Sequence, residues 1–145
     1  MVITETRYCT SSPEETEQLG IRLAQQLQGG EVIALFGGLG MGKTAFTRGI
    51  AAGLGVTDGV SSPTFALVHD YAGRLTVHHF DMYRVSGWDD LYSTGFFDYL
   101  DTGDVLVIEW SENIESALPP DAIRVTISRG AEEQERQFIL EGVAL

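Results

Sequence analysis

Eight consecutive residues, Gly37-Gly38-Leu39-Gly40-Met41-Gly42-Lys43-Thr44, follow the pattern G-x-x-x-x-G-K-[ST]. Glycines at these positions let the backbone turn its N–H groups toward an anion, and a helix starting there adds the positive end of its dipole. Contacts to phosphates are therefore expected from Gly38, Leu39, Gly40, Met41, Gly42, Lys43 and Thr44. Lys43 would reach the β- and γ-phosphates of a nucleoside triphosphate, and the Thr44 hydroxyl would ligate Mg²⁺. Lys43 is also the only lysine in a chain of 145 residues, all other cationic side chains being arginine. A compact ammonium suits a phosphate cradle, whereas planar guanidinium forks suit bidentate contacts. The plain alternative is a glycine-rich turn between strand and helix in a chain with 17 glycines. The motif specifies a triphosphate and leaves the base open.

Three further groups could complete such a site. Glu109 ends the apolar run Val105-Leu106-Val107-Ile108. That places a carboxylate at the carboxyl edge of a parallel sheet, the Walker-B position, where it would hold Mg²⁺ directly, hold it through water, or orient the attacking water. His79, Asp81 and Tyr83 alternate onto one face of an extended strand, with His78, Phe80, Met82 and Arg84 on the other. Asp81 on that polar face is a base toward water or an outer partner of a bound metal, unless the face is simply solvated. Ser62-Pro63-Thr64-Phe65 reads as a proline-stiffened loop in which Thr64 approaches Mg²⁺ or the γ-phosphate. Ser-Pro-Thr is also a common loop string. Arg48 and Arg84 are candidate charge-stabilising fingers toward the nucleotide, with solubilising surface arginines the preferred reading, and Trp88 and Trp110 are interface anchors or core members.

The elements that must position these residues are legible from pattern. Residues 2–9 read as an edge strand. A helix starts at Ser12-Pro13-Glu14-Glu15, with Ser12 as N-cap, Pro13 in the first turn and Glu15 closing a capping box. Leu19, Leu23, Ala24 and Leu27 recur at helical spacing, and Gly29-Gly30 should end the helix. Residues 31–36 read as a buried parallel strand leading into the glycine loop, and Phe46, Ile50, Ala51 and Leu54 mark the helix beyond it. Strand, loop and helix are the context the motif requires. Residues 65–71 and 75–83 form a hairpin about Ala72-Gly73-Arg74, and one or two short helices around Gly95 fill 86–100. After the strand 105–108, Pro119-Pro120 breaks the chain, and residues 123–128 and 137–140 read as a last pair of strands. The expected fold is α/β, a three-layer P-loop NTPase-type arrangement with a mainly parallel central sheet plus antiparallel hairpins, in one domain over 1–145.

Net charge is −12, pI is near 4.4 and mean hydropathy is +0.02. Such a surface repels phosphate backbones, which argues against unaided binding of nucleic acid and in favour of a basic partner. One cysteine, Cys9, excludes an intrachain disulfide, and the polar start and lack of a long apolar run point to a cytoplasmic protein away from membranes.

The order and spacing of Gly37–Thr44, Ser62-Pro63-Thr64-Phe65, His79-Phe80-Asp81-Met82-Tyr83-Arg84 and Ile108-Glu109-Trp110 resemble the bacterial TsaE (YjeE) family of small P-loop ATPases. Proteins of that family assist N6-threonylcarbamoyladenosine modification of tRNA. The resemblance implies an ATPase that is slow alone and resets a complex of TsaD- and TsaB-type proteins, which alone would hold the tRNA. It also implies Mg²⁺ near Thr44 and Glu109, Asp81 important for hydrolysis and Thr64 in a switch-like loop. Trp110 would lie near ATP, and adenine near residues 10–13 with the C-terminal hairpin close by. The competing readings are a small-molecule P-loop kinase, a GTPase switch and a nucleotide-binding scaffold without turnover. Residues 86–104 hold no arginine for a kinase lid, and a single lysine excludes an Asn-Lys-x-Asp guanine-reading string.

Overall fold

The computed structural model describes residues 5–37, 42–57 and 68–145. The strands are β1 (Glu5–Thr10), β2 (Val32–Phe36), β3 (Val68–Tyr71), β4 (Val77–Asp81), β5 (Val105–Glu109), β6 (Ile123–Arg129) and β7 (Arg136–Glu141). They form a single sheet in the order β1-β7-β6-β2-β5-β4-β3. The four central strands β6, β2, β5 and β4 run parallel, whereas β1, β7 and β3 pair antiparallel at the flanks. The helices are α1 (Pro13–Ala24), α2 (Lys43–Gly53), α3 (Trp88–Ser93) and α4 (Phe96–Tyr99), with a 3-10 segment over Ser111–Ala117.

Side-chain alternation sorts the sheet into two apolar layers. Ile33, Leu35, Val77, Val105 and Val107 pack with Leu23, Phe46, Ile50 and Leu54 of the α1–α2 side. Val32, Phe80, Leu106 and Ile108 pack with Leu91, Phe96 and Ile114 on the opposite side. This is the three-layer α/β fold expected from the sequence. Parallel strands buried on both faces need apolar residues at consecutive positions, which explains the unbroken runs of β2 and β5.

α1 and α2 approach so closely that a Cβ on Gly49 would stand 2.8 Å from the Glu17 carbonyl carbon and the Glu17 Cα. A Cβ on Gly20 would stand 3.0 Å from Gly49 Cα. Gly49→Ala should therefore destabilise the fold by about 2 kcal/mol, overpacking outweighing the better helix propensity of alanine. Thermal denaturation checks this, and a midpoint at or above wild type would show that the helices can separate.

Local structure departs from the sequence reading in four places. α1 ends at Ala24, not at Gly29-Gly30. Past Ala24 the chain tightens through Gln26 N to Leu23 O and Leu27 N to Ala24 O, and Arg74 donates to Ala24 O (3.1 Å) and Leu27 O (3.3 Å). Ser12 caps Glu15 N as expected, but the Glu15 carboxylate accepts from Ser11 N rather than Ser12 N. The strand read over 75–83 is confined to β4, so Tyr83 lies beyond it with an exposed ring. The 3-10 segment over Ser111–Ala117 has no counterpart in the sequence reading, which marks only Pro119-Pro120 as a break. None of the described helices is long and apolar enough to cross a membrane.

Candidate functional site

The parallel strands bring their carboxyl ends to one edge of the sheet, where β2 leads into the glycine loop. Register pairs Asp81 of β4 with Glu109 of β5. Both continue the series Val77 and Val105-Val107 that faces α2, so two carboxylates from adjacent strands point toward the start of that helix.

Lys43 is the first residue of α2, entered through Gly42 in the left-handed region (φ 91). Its side chain folds back toward the end of β2. Nζ donates to Gly37 O (2.9 Å) and lies 4.1 Å from the centre of the Trp110 ring. The residue is 5% exposed. Burial lowers its pKa below the ordinary lysine value, opposed by the charges of Glu109, Glu112 and Asp81. A desolvated ammonium surrounded by acids is poised to trade these partners for a polyanion.

Gly37 anchors the root of the loop. Its N–H donates to Glu112 Oε2 (3.0 Å), and a Cβ there would stand 2.7 Å from Ile127 O, which restricts the position to glycine. Glu109, 4% exposed, accepts from His79 Nε2 (2.8 Å). Asp81 is half-buried and its Oδ1 accepts from Tyr83 N (2.9 Å). Immediately after Glu109, Trp110 adopts φ 60 and ψ 42, the only positive φ of a non-glycine among the described residues. That conformation costs on the order of 1–3 kcal/mol and persists only when its surroundings hold it. Here it turns the indole away from the strand so that one side meets Lys43 and the Tyr83 ring packs against it at 5.0 Å.

The sequence-derived residues Lys43, Thr44, Asp81, Glu109 and Trp110 thus gather at one sheet edge. Gly38, Leu39, Gly40, Met41 and Thr64, with the whole Ser62–Phe65 string, lie outside the described residues. Arg48 forms an ion pair with Glu17 (2.7 Å) on the outer side of α1 and α2. Trp88 is exposed beside Tyr92 and Phe97. The face carrying His79 and Asp81 is not a solvated hairpin face, since His79 is fully buried. Glu112 was missed, because nothing in the sequence distinguishes it from any acid of a helical connection.

A cavity of about 330 Å³ opens beside the loop, lined by Pro13, Thr16, Gly42, Ala45, Gln134 and Arg136, among others. It lies between the start of α1 and the β6–β7 hairpin. Carboxylate and hydroxyl oxygens are the hard donors that Mg²⁺ takes, in sites that combine one or two carboxylates with phosphate oxygens. Thr44, Glu109 and Asp81 supply that chemistry. Among the described residues no cluster of three or more His, Cys, Asp or Glu side chains could hold a metal.

Comparison with known proteins decides the family. The family profile described as "Threonylcarbamoyl adenosine biosynthesis protein TsaE" matches residues 10–138. The chain belongs to the TsaE family. It is 37% identical over 140 residues to the TsaE of Bacillus subtilis, covering 95% of this chain and 87% of that one. It is 36% identical over 121 residues to the TsaE of Treponema pallidum, covering 83% and 90%. Its fold superposes on the crystal structure of Bacillus subtilis YdiB with a TM-score of 0.82 and 32% identity, over 99% of this chain and 89% of that one. These matches extend TsaE likeness well beyond the glycine loop, through the strands that carry Asp81 and Glu109.

Proposed function

We propose that this TsaE chain binds and hydrolyses ATP as an accessory subunit in N6-threonylcarbamoyladenosine modification of tRNA, resetting a complex of TsaD- and TsaB-type proteins in the cytoplasm. The observation that carries the proposal is the Asp81–Glu109 pair at adjacent strand ends, electrostatically coupled to Lys43 at the start of α2. A basic side chain and two acids converging on one sheet edge suit phosphoryl chemistry in which positioning and electrostatics do most of the catalysis.

Lys43 and the loop amides bind the β- and γ-phosphates, and Lys43 gives up Gly37 O to do so. Adenine occupies the cavity between Pro13, Ala45 and Arg136. Asp81 and Glu109, register partners at the strand ends, would orient the attacking water, and Asp81 would take its proton. Mg²⁺ held through Thr44 and Glu109 would neutralise charge on the phosphate oxygens. Thr64 approaches the γ-phosphate in the switch-like loop. Trp110 shields the phosphate end from solvent. The charge of −12 suits a subunit that leaves tRNA to its partners.

ATP turnover by the purified chain, measured alone, with TsaD- and TsaB-type proteins and against a panel of small-molecule acceptors, tests this. Slow release of free phosphate that accelerates in the complex is expected. A stoichiometric phosphorylated acceptor would replace the ATPase by a kinase.

A further inference from the structure

The three histidines do different work. His69 Nδ1 lies 3.2 Å from the Tyr71 hydroxyl, a contact within β3. His78 spans two acids, Nδ1 to Asp70 Oδ1 (2.7 Å) and Nε2 to Asp104 Oδ2 (2.8 Å), which ties the β3–β4 hairpin to the turn before β5. Among the described residues His79 makes one polar contact, to Glu109, and does so from full burial. Among the described residues its Nδ1 has no hydrogen-bond partner.

The direction of that contact is informative. In the β4–β5 register His79 stands opposite Val107, two residues before Glu109. The bond is therefore diagonal. The ladder already pairs the two strands, so the side-chain bond adds nothing to register and acts on the rotamer of Glu109. An ionised carboxylate only accepts, so His79 donates from Nε2–H. Its ring leans on Tyr71 (centroids 6.2 Å), which limits rotation of the imidazole. The bond satisfies a buried N–H, and the acceptor it uses is the acid that closes β5 at the site.

We infer that His79 is a positioning residue for Glu109: it holds the carboxylate in the orientation from which Glu109 serves the nucleotide and its metal, without itself touching either. This inference rests on the nucleotide-site reading proposed above. Partners of this kind, which orient a ligand residue through a hydrogen bond, typically change metal affinity or activity by about 10- to 100-fold when removed.

The test compares His79→Gln with His79→Asn. A glutamine amide can present N–H near the position of Nε2, whereas an asparagine amide ends near Nδ1 and cannot reach Glu109. The measurements are kcat at saturating ATP and Mg²⁺, the gain in ATP affinity on adding Mg²⁺ by calorimetry, ATP affinity in EDTA, and the thermal midpoint. His79→Asn should lose about 10- to 100-fold in kcat or in the Mg²⁺-dependent gain, with ATP affinity in EDTA unchanged. His79→Gln should recover most of that loss. Equal behaviour of the two folded variants, or a wild-type His79→Asn, would overturn the inference. If His79→Asn fails to fold, the Gln variant decides: wild-type kcat and Mg²⁺ response support the inference, and a loss overturns it. Glu109→Gln separates the two levels. Unchanged turnover there would sink the nucleotide-site reading itself, whereas loss there beside a wild-type His79→Asn would sink only the positioning role.

Discussion

Lys43→Ala should weaken ATP binding by roughly 100- to 1,000-fold, measured by calorimetry, while leaving the free protein folded. Truncating one partner of a buried, hydrogen-bonded charge pair costs about 2–5 kcal/mol, and each 1.4 kcal/mol is tenfold in affinity. The free protein should tolerate the change because of the sign of the pKa shift. Burial holds Lys43 below the ordinary lysine value, so its protonated form is penalised by folding. That penalty is present below the depressed folded pKa and disappears as pH rises through it toward the unfolded value. At neutral pH relief of that penalty offsets the loss of the bond to Gly37 O and of the contact with Trp110, and the thermal midpoint should stay near wild type. Because the chain has no other lysine, amine-directed labelling reports on Lys43 and the N-terminal amine alone. ATP should shield Lys43 from the reagent, and undiminished labelling at saturating ATP would remove Lys43 from the phosphate site.

The second large effect falls on turnover and spares binding. Asp81→Ala should lower single-turnover ATP hydrolysis in the full complex by about 10²- to 10⁴-fold, the usual worth of a positioned general base. ATP affinity should change by only a few fold, since the role proposed for Asp81 is toward the attacking water and not toward the phosphates. Asp81 Oδ1 also accepts from Tyr83 N, so a modest loss of stability accompanies the substitution and the thermal midpoint must be recorded beside the rate. Asp81→Asn keeps an acceptor for that N–H and removes the base, which isolates the chemical role. Hydrolysis at the wild-type rate in Asp81→Ala would take Asp81 out of the mechanism.

The helix that carries Lys43 and the strands that carry Asp81 and Glu109 were legible because their signals are local. A glycine loop between an apolar run and a helical stripe, and an acid closing another apolar run, place residues at a sheet edge once the fold is α/β. α1 shows where local reading stops. Its apolar spacing continues to Leu27, but the chain tightens past Ala24, where Arg74 from the β3–β4 turn donates to the Ala24 and Leu27 carbonyls. Tyr83 continues the alternation of β4 on paper, yet β4 ends at Asp81, whose side chain binds the Tyr83 amide. Both outcomes depend on a bond that the local pattern does not specify.

By itself the sequence determined the kind of chemistry and the family: a phosphate loop, two candidate carboxylates, a lone lysine and an order of motifs that marks TsaE. The tertiary structure decided how those residues meet. Which acid pairs with which follows from strand register, set by packing on both faces of the sheet. That Glu112 holds the Gly37 amide, that Trp110 turns onto Lys43 and that His79 bonds Glu109 follow from contacts between residues 30 to 75 positions apart. Residue type and spacing carry the chemistry of a side chain, whereas its partner is chosen by long-range packing, which no local periodicity encodes.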